Sequence, residues 1–398
     1  MAVIGGGIKG AAVAALLSVH PNLHVTVLEA DRLGSGTTST NHGRLHAGTE
    51  HWRDENLELM RRRHRGSVLT RAVAALPADK PARYALPHEL SDEFAERCHA
   101  ASIPIRRHPA DAADLWISDP GYDLFDVPEF PFNPARLTGA LSATARCRGA
   151  AIQTGRRVDE VALRPEAVSL RVDGDGELEV DVTLNLAARW SVTIDVRDRP
   201  PLLEIDLFQW RLLCVRADVM PPLDHIVAVS DQTGRTFSGV PHPGWVVIDG
   251  GADPKQAETP DLGRMANWRA VDPSMPAGAA LLEQATSWLP GLREAAASGS
   301  VFTFDGIQGR LRGAKPGSIS TLFTYPDDGR YIVSFGGQAS TAILDAVELI
   351  DHLWARGFLP SGDGAWSLGR LSAWSLAGRA LSGEWIAGMI WEEVARGV

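Results

Sequence analysis

A chain of 398 residues, 44% hydrophobic and 22% charged, is long enough for two domains and has the composition of an ordinary folded protein. Its formal net charge of −10 argues against a nucleic-acid partner, which calls for a basic face. No apolar run reaches the ~20 residues of a membrane span, and the N-terminus runs straight into a glycine motif, unlike a signal peptide. The expected location is cytoplasmic, with peripheral membrane contact left open. Cys98, Cys147 and Cys214 lie far apart without a CxxC pair and read as reduced, buried thiols. The 12 histidines show no metal-ligand spacing, so no metal is expected.

The first thirty residues carry the strongest signal. The apolar segment Ala2 to Ile4 meets Gly5-x-Gly7-x-x-Gly10, then an Ala-, Val- and Leu-rich helix stopped by Pro21, then the apolar run HVTVLEA ending in Glu29. Each glycine has a reason: Gly5 for the tight turn, Gly7 for close approach of backbone to a pyrophosphate, Gly10 for close packing of helix on strand. The helix start at Ile8 and Lys9 offers free N–H groups and a positive dipole end to phosphate. Glu29 and Ala30 end the second strand about 20 positions further on, where an acid binds ribose hydroxyls. The pattern predicts a dinucleotide site. Only four residues precede Gly5, so the first strand is short; a missing N-terminal extension or a misassigned start would account for that.

The next segment, DRLGSGTTSTNHGRLHAG, is too polar and broken for a helix before about Arg53. A loop this long is functional or disordered. Thr38, Ser39 and Asn41 are placed to donate to a pyrophosphate or a flavin edge, and Gly43 and Gly48 permit close backbone approach.

GGGIKG, the terminal LEA and TSTNHGRLHAG together resemble the FAD-dependent D-amino-acid-oxidase superfamily. NHGRLHAG is most similar to the L-2-hydroxyglutarate oxidases and FAD-dependent glycerol-3-phosphate dehydrogenases within it. The resemblance implies an FAD cofactor, with the loop (His42, Arg44 and Leu45 included) running along the pyrophosphate and beneath the isoalloxazine ring. DVTLNLAARWS resembles the family's strand that closes the FAD domain near the flavin, which places Ala187, Ala188 and Trp190 there. Arg189 departs from the glycine preferred close to that position. YIVSFGGQASTAILDAVELIDHL reads as strand, glycine turn and helix. By resemblance its Gly337, Gln338, Ala339, Ser340 and Thr341 face the flavin's N1–C2=O edge, and a backbone contact to the adenine comes from about Val158.

The expected fold class is α/β: a discontinuous Rossmann-like FAD-binding domain (1–80, 133–195 and 310–352) with a mostly antiparallel β-sheet substrate domain (81–132 and 196–309). Asn133-Pro134 is an N-cap and first-turn pair, and VDGDGELEV a hairpin. AGAALLEQATSWLPGL reads as one helix stopped by Pro290. RRRHR, Arg61 to Arg65, reads as an exposed helix face. A tryptophan-containing tail, 353–398, includes the amphipathic pattern GEWIAGMIWEEVAR, expected to pack on the protein's own surface, with a subunit or membrane-surface contact as the alternatives.

The chemistry implied is hydride transfer from a small substrate to flavin N5, for which the protein positions the carbon and manages a proton. His46 is the first candidate base, because an imidazole suits an alcohol's proton; His42 is second, and a covalent flavin link at either is a further alternative. FDGIQGRLRGAKPGS falls where the family places an anion-gripping arginine, which nominates Arg310 and Arg312, with Lys315 nearby. PHPGW is a cavity-lining segment or a hairpin turn. The leading function is oxidation of a CH–OH carbon in a small substrate, anionic ones included. An amine or amino-acid oxidase is the alternative; a flavin monooxygenase and a non-catalytic flavin-fold protein rank lower. The electron acceptor, oxygen or quinone, and homo-oligomer formation stay open.

Overall fold

The computed structural model describes residues 1–54, 56–76, 80–108, 121–174, 176–233, 236–250, 255–256, 279–289, 291–314 and 320–359, together with Met389 and Glu392. Lys315, Pro290 and most of GEWIAGMIWEEVAR lie outside these residues.

The first strand, Ala2–Ile4, is the short central rail of a six-stranded sheet. It pairs in parallel with Thr26–Glu29 on one side and Thr183–Asn185 on the other. Ala151–Thr154 extends the first edge, Asp328–Phe335 the second, all in parallel, and Thr321–Tyr325 closes the far edge antiparallel. A parallel sheet needs cover on both faces, and alternation along the strands provides it. Val3, Val27, Leu184 and Ile332 point into a core with the helices Ile8–Leu17, Pro134–Cys147 and Ala342–Ala355. Their neighbours Ala2, Ile4, Leu28 and Val333 point the other way, against a four-stranded sheet that holds Val158–Leu163 and the hairpin Val168–Val172/Gly176–Val180. Three segments far apart in sequence thus share one Rossmann-like unit.

The second large sheet has nine strands. Ile205–Arg216 pairs antiparallel with Val301–Leu311 in one unbroken register, from Ile205↔Leu311 to Val215↔Val301. The sheet continues through Trp245–Gly250, Thr236–His242 and Val227–Ser230 to Ala82–Pro87, Tyr122–Val127 and Arg106–Arg107. Antiparallel pairing dominates, as expected, apart from the parallel join of Val227–Ser230 to Ala82–Pro87. His88–Ala100 covers one region of it with Phe94 against Tyr84 and Phe125.

Several expectations need correction. The AGAALLEQATSWLPGL stretch is a shorter helix, Ala279–Thr286, followed by a separate one, Leu292–Ala297, so the first helix ends before the proline is reached. RRRHR is not a solvated face: Arg62 and Arg63 are buried in the helix Leu57–Val73, while Arg61 and Arg65 alone face outward beside Glu58. Arg62 binds Asp345 at 2.7 Å and also Glu348, tying this helix to Ala342–Ala355. Cys147 is exposed, unlike the buried Cys98 and Cys214. No described helix is long and apolar enough to cross a membrane.

Candidate active site

The site starts from the glycine cradle. Gly5 has φ +100°, and a Cβ there would lie 2.8 Å from the Leu186 carbonyl oxygen; a Cβ on Gly10 would lie 1.9 Å from that of Gly5. Only glycine serves at both. Gly7 caps the helix Ile8–Leu17 without a side-chain bond and no acid occupies its first turn, so the positive end of the helix dipole is left uncancelled. Ile8 N–H donates to Thr38 Oγ1 at 3.2 Å, which pulls the hydroxyl-rich loop onto the cradle. Glu29 accepts from the N–H of Gly6 at 2.7 Å and of Asp31 at 2.9 Å, just past Ala30, and burial pushes its carboxyl up.

The other loop residues divide by role. Ser39 donates to the Gly36 carbonyl, and Asn41 accepts from Gly43 N–H at 2.8 Å, turning the chain toward the strand Arg44–Leu45. Arg44 and Leu45 are buried. Arg44 Nε lies 2.6 Å from Glu129, whose carboxylate also accepts from Ala47 N–H, Thr49 and Tyr84. With its oxygens engaged by four residues, Glu129 is a structural anchor for the loop, set within 4.8 Å of ligand-type atoms of His46 and Glu50.

The C-terminal segment meets the loop. His46 N–H donates to Ser340 Oγ at 2.9 Å, and Gln338 N–H donates to Thr341 Oγ1 at 3.1 Å. Gly337 has φ +80°, and a Cβ there would lie 2.1 Å from an Asp345 oxygen. Ala339–Thr341 forms a short 3₁₀ turn that leads into Ala342–Ala355. Lys9 behaves differently from its neighbours: its ammonium donates to Ser320, Ser334 and the Gly336 carbonyl and lies 3.8 Å from Asp345, so the side chain clamps the first and last blocks together. Burial lowers its pKa.

Thr183–Asn185 ends at the expected closing segment. Asn185 accepts from Ala187 N–H and Ser191 and donates to Tyr331. Trp190 packs toward Gly36, where a Cβ would meet its ring at 3.0 Å. Ala188, next to Arg189, adopts φ +53°, a left-handed conformation that glycine adopts more readily. Arg189 is buried, lies 3.9 Å over the Trp190 ring and donates to the Ile307 carbonyl; burial lowers its pKa to about 9. Val158 is buried at the start of its strand, on the sheet face that also covers Leu28.

His42 and His46 come together. Their Nε2 atoms are 3.0 Å apart. His42 Nδ1 lies 3.3 Å from Asp249, and His46 Nδ1 lies 3.5 Å from Glu50. PHPGW is a hairpin turn whose His242 lies 3.0 Å from the His42 carbonyl oxygen. Burial, then the neighbouring His46, Arg44 and His242, holds the His42 imidazole well below its usual range, and burial takes His242 to about 4. Burial alone would raise Glu50, but His46, His51 and Arg63 hold it well below the ordinary carboxylate value. The two arginines nominated for an anion make their contacts elsewhere. Arg310 stacks 4.4 Å over Phe208 with its Nε unpartnered, while Arg312 is exposed and paired with Glu204 and Asp206. His242 comes from the PHPGW segment singled out in the sequence; Asp249, Glu50 and Glu129 were not, and of these only Glu50, four positions after His46, leaves a local sequence signal.

The residues suit a flavin dinucleotide. A helix start without a capping side chain, a glycine cradle that side chains would fill, an acid at the second strand end, and a buried Thr40 Oγ1 without a partner form a donor–acceptor set of the right kind. The family described as FAD dependent oxidoreductase (DAO) matches residues 1–336. This chain belongs to the DAO family. The DAO-family chain is an FAD-dependent oxidoreductase, with FAD as its cofactor. It is 27% identical over 211 residues to the anaerobic glycerol-3-phosphate dehydrogenase subunit A1 of Haloferax volcanii, covering 48% of this chain and 36% of that one, so the match spans about a third of that relative's length. Its fold is that of L-alpha-glycerophosphate oxidase from Mycoplasma pneumoniae with FAD bound (TM-score 0.70, 14% identity, 92% of this chain and 97% of the other). It is likewise that of glycine oxidase from Geobacillus kaustophilus (TM-score 0.66, 18% identity, 92% and 97%). These relatives include both alcohol- and amine-oxidising names, and the DAO-family fold accommodates either.

Proposed function

We propose that this DAO-family oxidoreductase oxidises a CH–OH carbon of a small, polar substrate. The observation that carries the reading is the His42–His46 pair, 3.0 Å apart, with His42 held neutral by burial. An alcohol loses a hydroxyl proton as its hydride departs, and a neutral imidazole is suited to accept it. Bound FAD supplies the hydride acceptor.

His46 Nε2 faces His42 and Nδ1 faces Glu50, while His42 Nδ1 faces Asp249, so the base we assign is the imidazole pair acting through Asp249 and not one isolated ring. Ser340 fixes the backbone of His46, and Glu129 fixes the residues on either side through Arg44 and Ala47. An amine substrate has no alkoxide to form and places less demand on such a pair. Arg310, with an unpartnered Nε, is the better candidate to hold an anionic group on the substrate; Arg312 already holds two carboxylates. For the cofactor, the cradle glycines, Glu29, Thr38 and the turn from Gly337 to Thr341 are the holding residues we assign.

The test is anaerobic flavin bleaching by a panel of hydroxy acids and polyol phosphates beside matched amino acids and amines. Bleaching by hydroxylated compounds supports the reading; bleaching by amines alone overturns it.

A further inference from the structure

We propose that a row of alternating carboxylates and imidazoles, Asp249–His42–His46–Glu50–His51–Asp54, is a proton path from the substrate side of the site to solvent. It rests on the reading that the imidazole pair serves the reacting carbon, and it extends that reading by saying where the proton goes.

The row is continuous. After the contacts already given, Glu50 Oε1 lies 3.6 Å from His51 Nε2, and His51 Nδ1 lies 2.8 Å from Asp54. Accessibility follows the same order: the end carboxylates keep 33% (Asp249) and 45% (Asp54) of their side-chain surface, while the four groups between keep 11–17%. Both oxygens of Glu50, His46 Nδ1 and His51 Nε2 are buried without a hydrogen-bond partner. Leaving four such atoms unpaired is costly. They face one another across gaps that a shift of about 0.5 Å would close to hydrogen bonds. Glu50 is therefore the movable link. Arg63, 4.0 Å away, keeps a positive charge beside it, and Arg44, Glu129 and His242 flank the inner half.

The resting proton distribution suits transport in one direction. Burial pushes the Asp249 carboxyl up, favouring its protonated form, while Glu50 is held ionised. Asp249 then donates to His42 Nδ1, His42 Nε2–H to His46 Nε2, and His46 Nδ1–H to Glu50. With FAD bound to take the hydride from the substrate's C–H bond, the substrate's O–H proton would enter on an oxygen of Asp249. Each group in turn gains one proton and gives one up, and Glu50 becomes neutral. Glu50 passes its proton to His51 Nε2, His51 Nδ1–H goes to Asp54, and Asp54 releases it to water. Substrate loses one hydride and one proton, and the row ends with the charge it began with.

The outer residues His51 and Asp54 make the test. In single anaerobic turnovers, a pH-indicator dye and flavin bleaching are followed together in wild type, Asp54→Asn and His51→Gly. Proton release should coincide with bleaching in wild type and lag by ~100-fold in the variants, the size of a lost acid–base contribution, with added imidazole restoring His51→Gly. Release that stays coincident in both variants overturns the path. Independently of any substrate or variant, ¹⁵N spectra of labelled wild type should show coupling between the Nε2 atoms of His42 and His46 through their shared proton. Its absence overturns the inner link. A substrate panel that selects amines would sink the alcohol reading while leaving this spectroscopic result in place.

Discussion

The glycine cradle and the histidine–carboxylate row sit in neighbouring segments of the chain but are built in opposite ways. The cradle works through backbone: Gly5, Gly7 and Gly10 shape one turn and one helix start, whose N–H groups are then met by Glu29 and Thr38. The row works through side chains brought from three places, the loop 42–54, the strand holding Asp249, and the anchor Glu129 beneath. Substitutions should therefore separate the two: damage to the cradle removes cofactor, and damage to the row removes proton handling or loop order while cofactor stays.

The largest effect on cofactor retention is expected from Gly10→Val. With a Cβ 1.9 Å from the Gly5 carbonyl oxygen, the turn must open, at or beyond the ~1–3 kcal/mol of ordinary overpacking. Purified protein should lose its flavin absorbance on gel filtration. Glu129→Ala comes next. It strands Arg44 in a buried site and removes acceptors for Ala47, Thr49 and Tyr84, costing about 3–5 kcal/mol in urea unfolding. Glu129→Gln should cost less because an acceptor oxygen remains.

A pH series then tests the inner end. His242 has a folded pKa of about 4 against 6.5 unfolded, so between those values the unfolded chain binds a proton that the folded chain does not. Its contribution is intact above pH 6.5 and declines as pH falls toward 4. Replacing it, as in His242→Gln, should flatten the acid limb of the stability curve by ~1–3 kcal/mol; an unchanged limb would show that the ring titrates normally. The smallest effects concern the arginines. Arg310→Ala should raise KM for an anionic substrate roughly tenfold, the worth of one charged hydrogen bond. Arg312→Ala, exposed and carboxylate-bound, should leave KM alone and alter stability by less than about 1 kcal/mol.

What could be read from sequence follows the same division. Gly5-x-Gly7-x-x-Gly10, the strand flanks and Glu29 are local, so their spacing alone points to the dinucleotide turn, and the discontinuous α/β architecture follows from where similar strand–turn–helix blocks recur. Asn133 is a helix cap as its sequence suggests, accepting from Arg136 N–H. Arg62 and Arg63 were not legible as buried, because their partners Asp345, Glu348 and Glu50 come from other elements. Asp249 reads locally as one more strand-end acid in VVIDGG; only the pairing of Trp245–Gly250 within the large sheet carries it to His42. Lys9 looked like part of the phosphate turn, and its long side chain instead reaches the strand and turn near Gly336. Backbone chemistry is written in spacing; side-chain clusters are written in tertiary contact.

The part of the imidazole pair in the chemistry is decided by the rate of anaerobic flavin reduction in His46→Ala beside wild type, with bound FAD counted in both. Equal FAD content is expected, with a rate lower by about 100- to 10,000-fold, the range of a lost acid–base group. Equal rates at equal FAD content would contradict it and remove the imidazole pair from the chemistry.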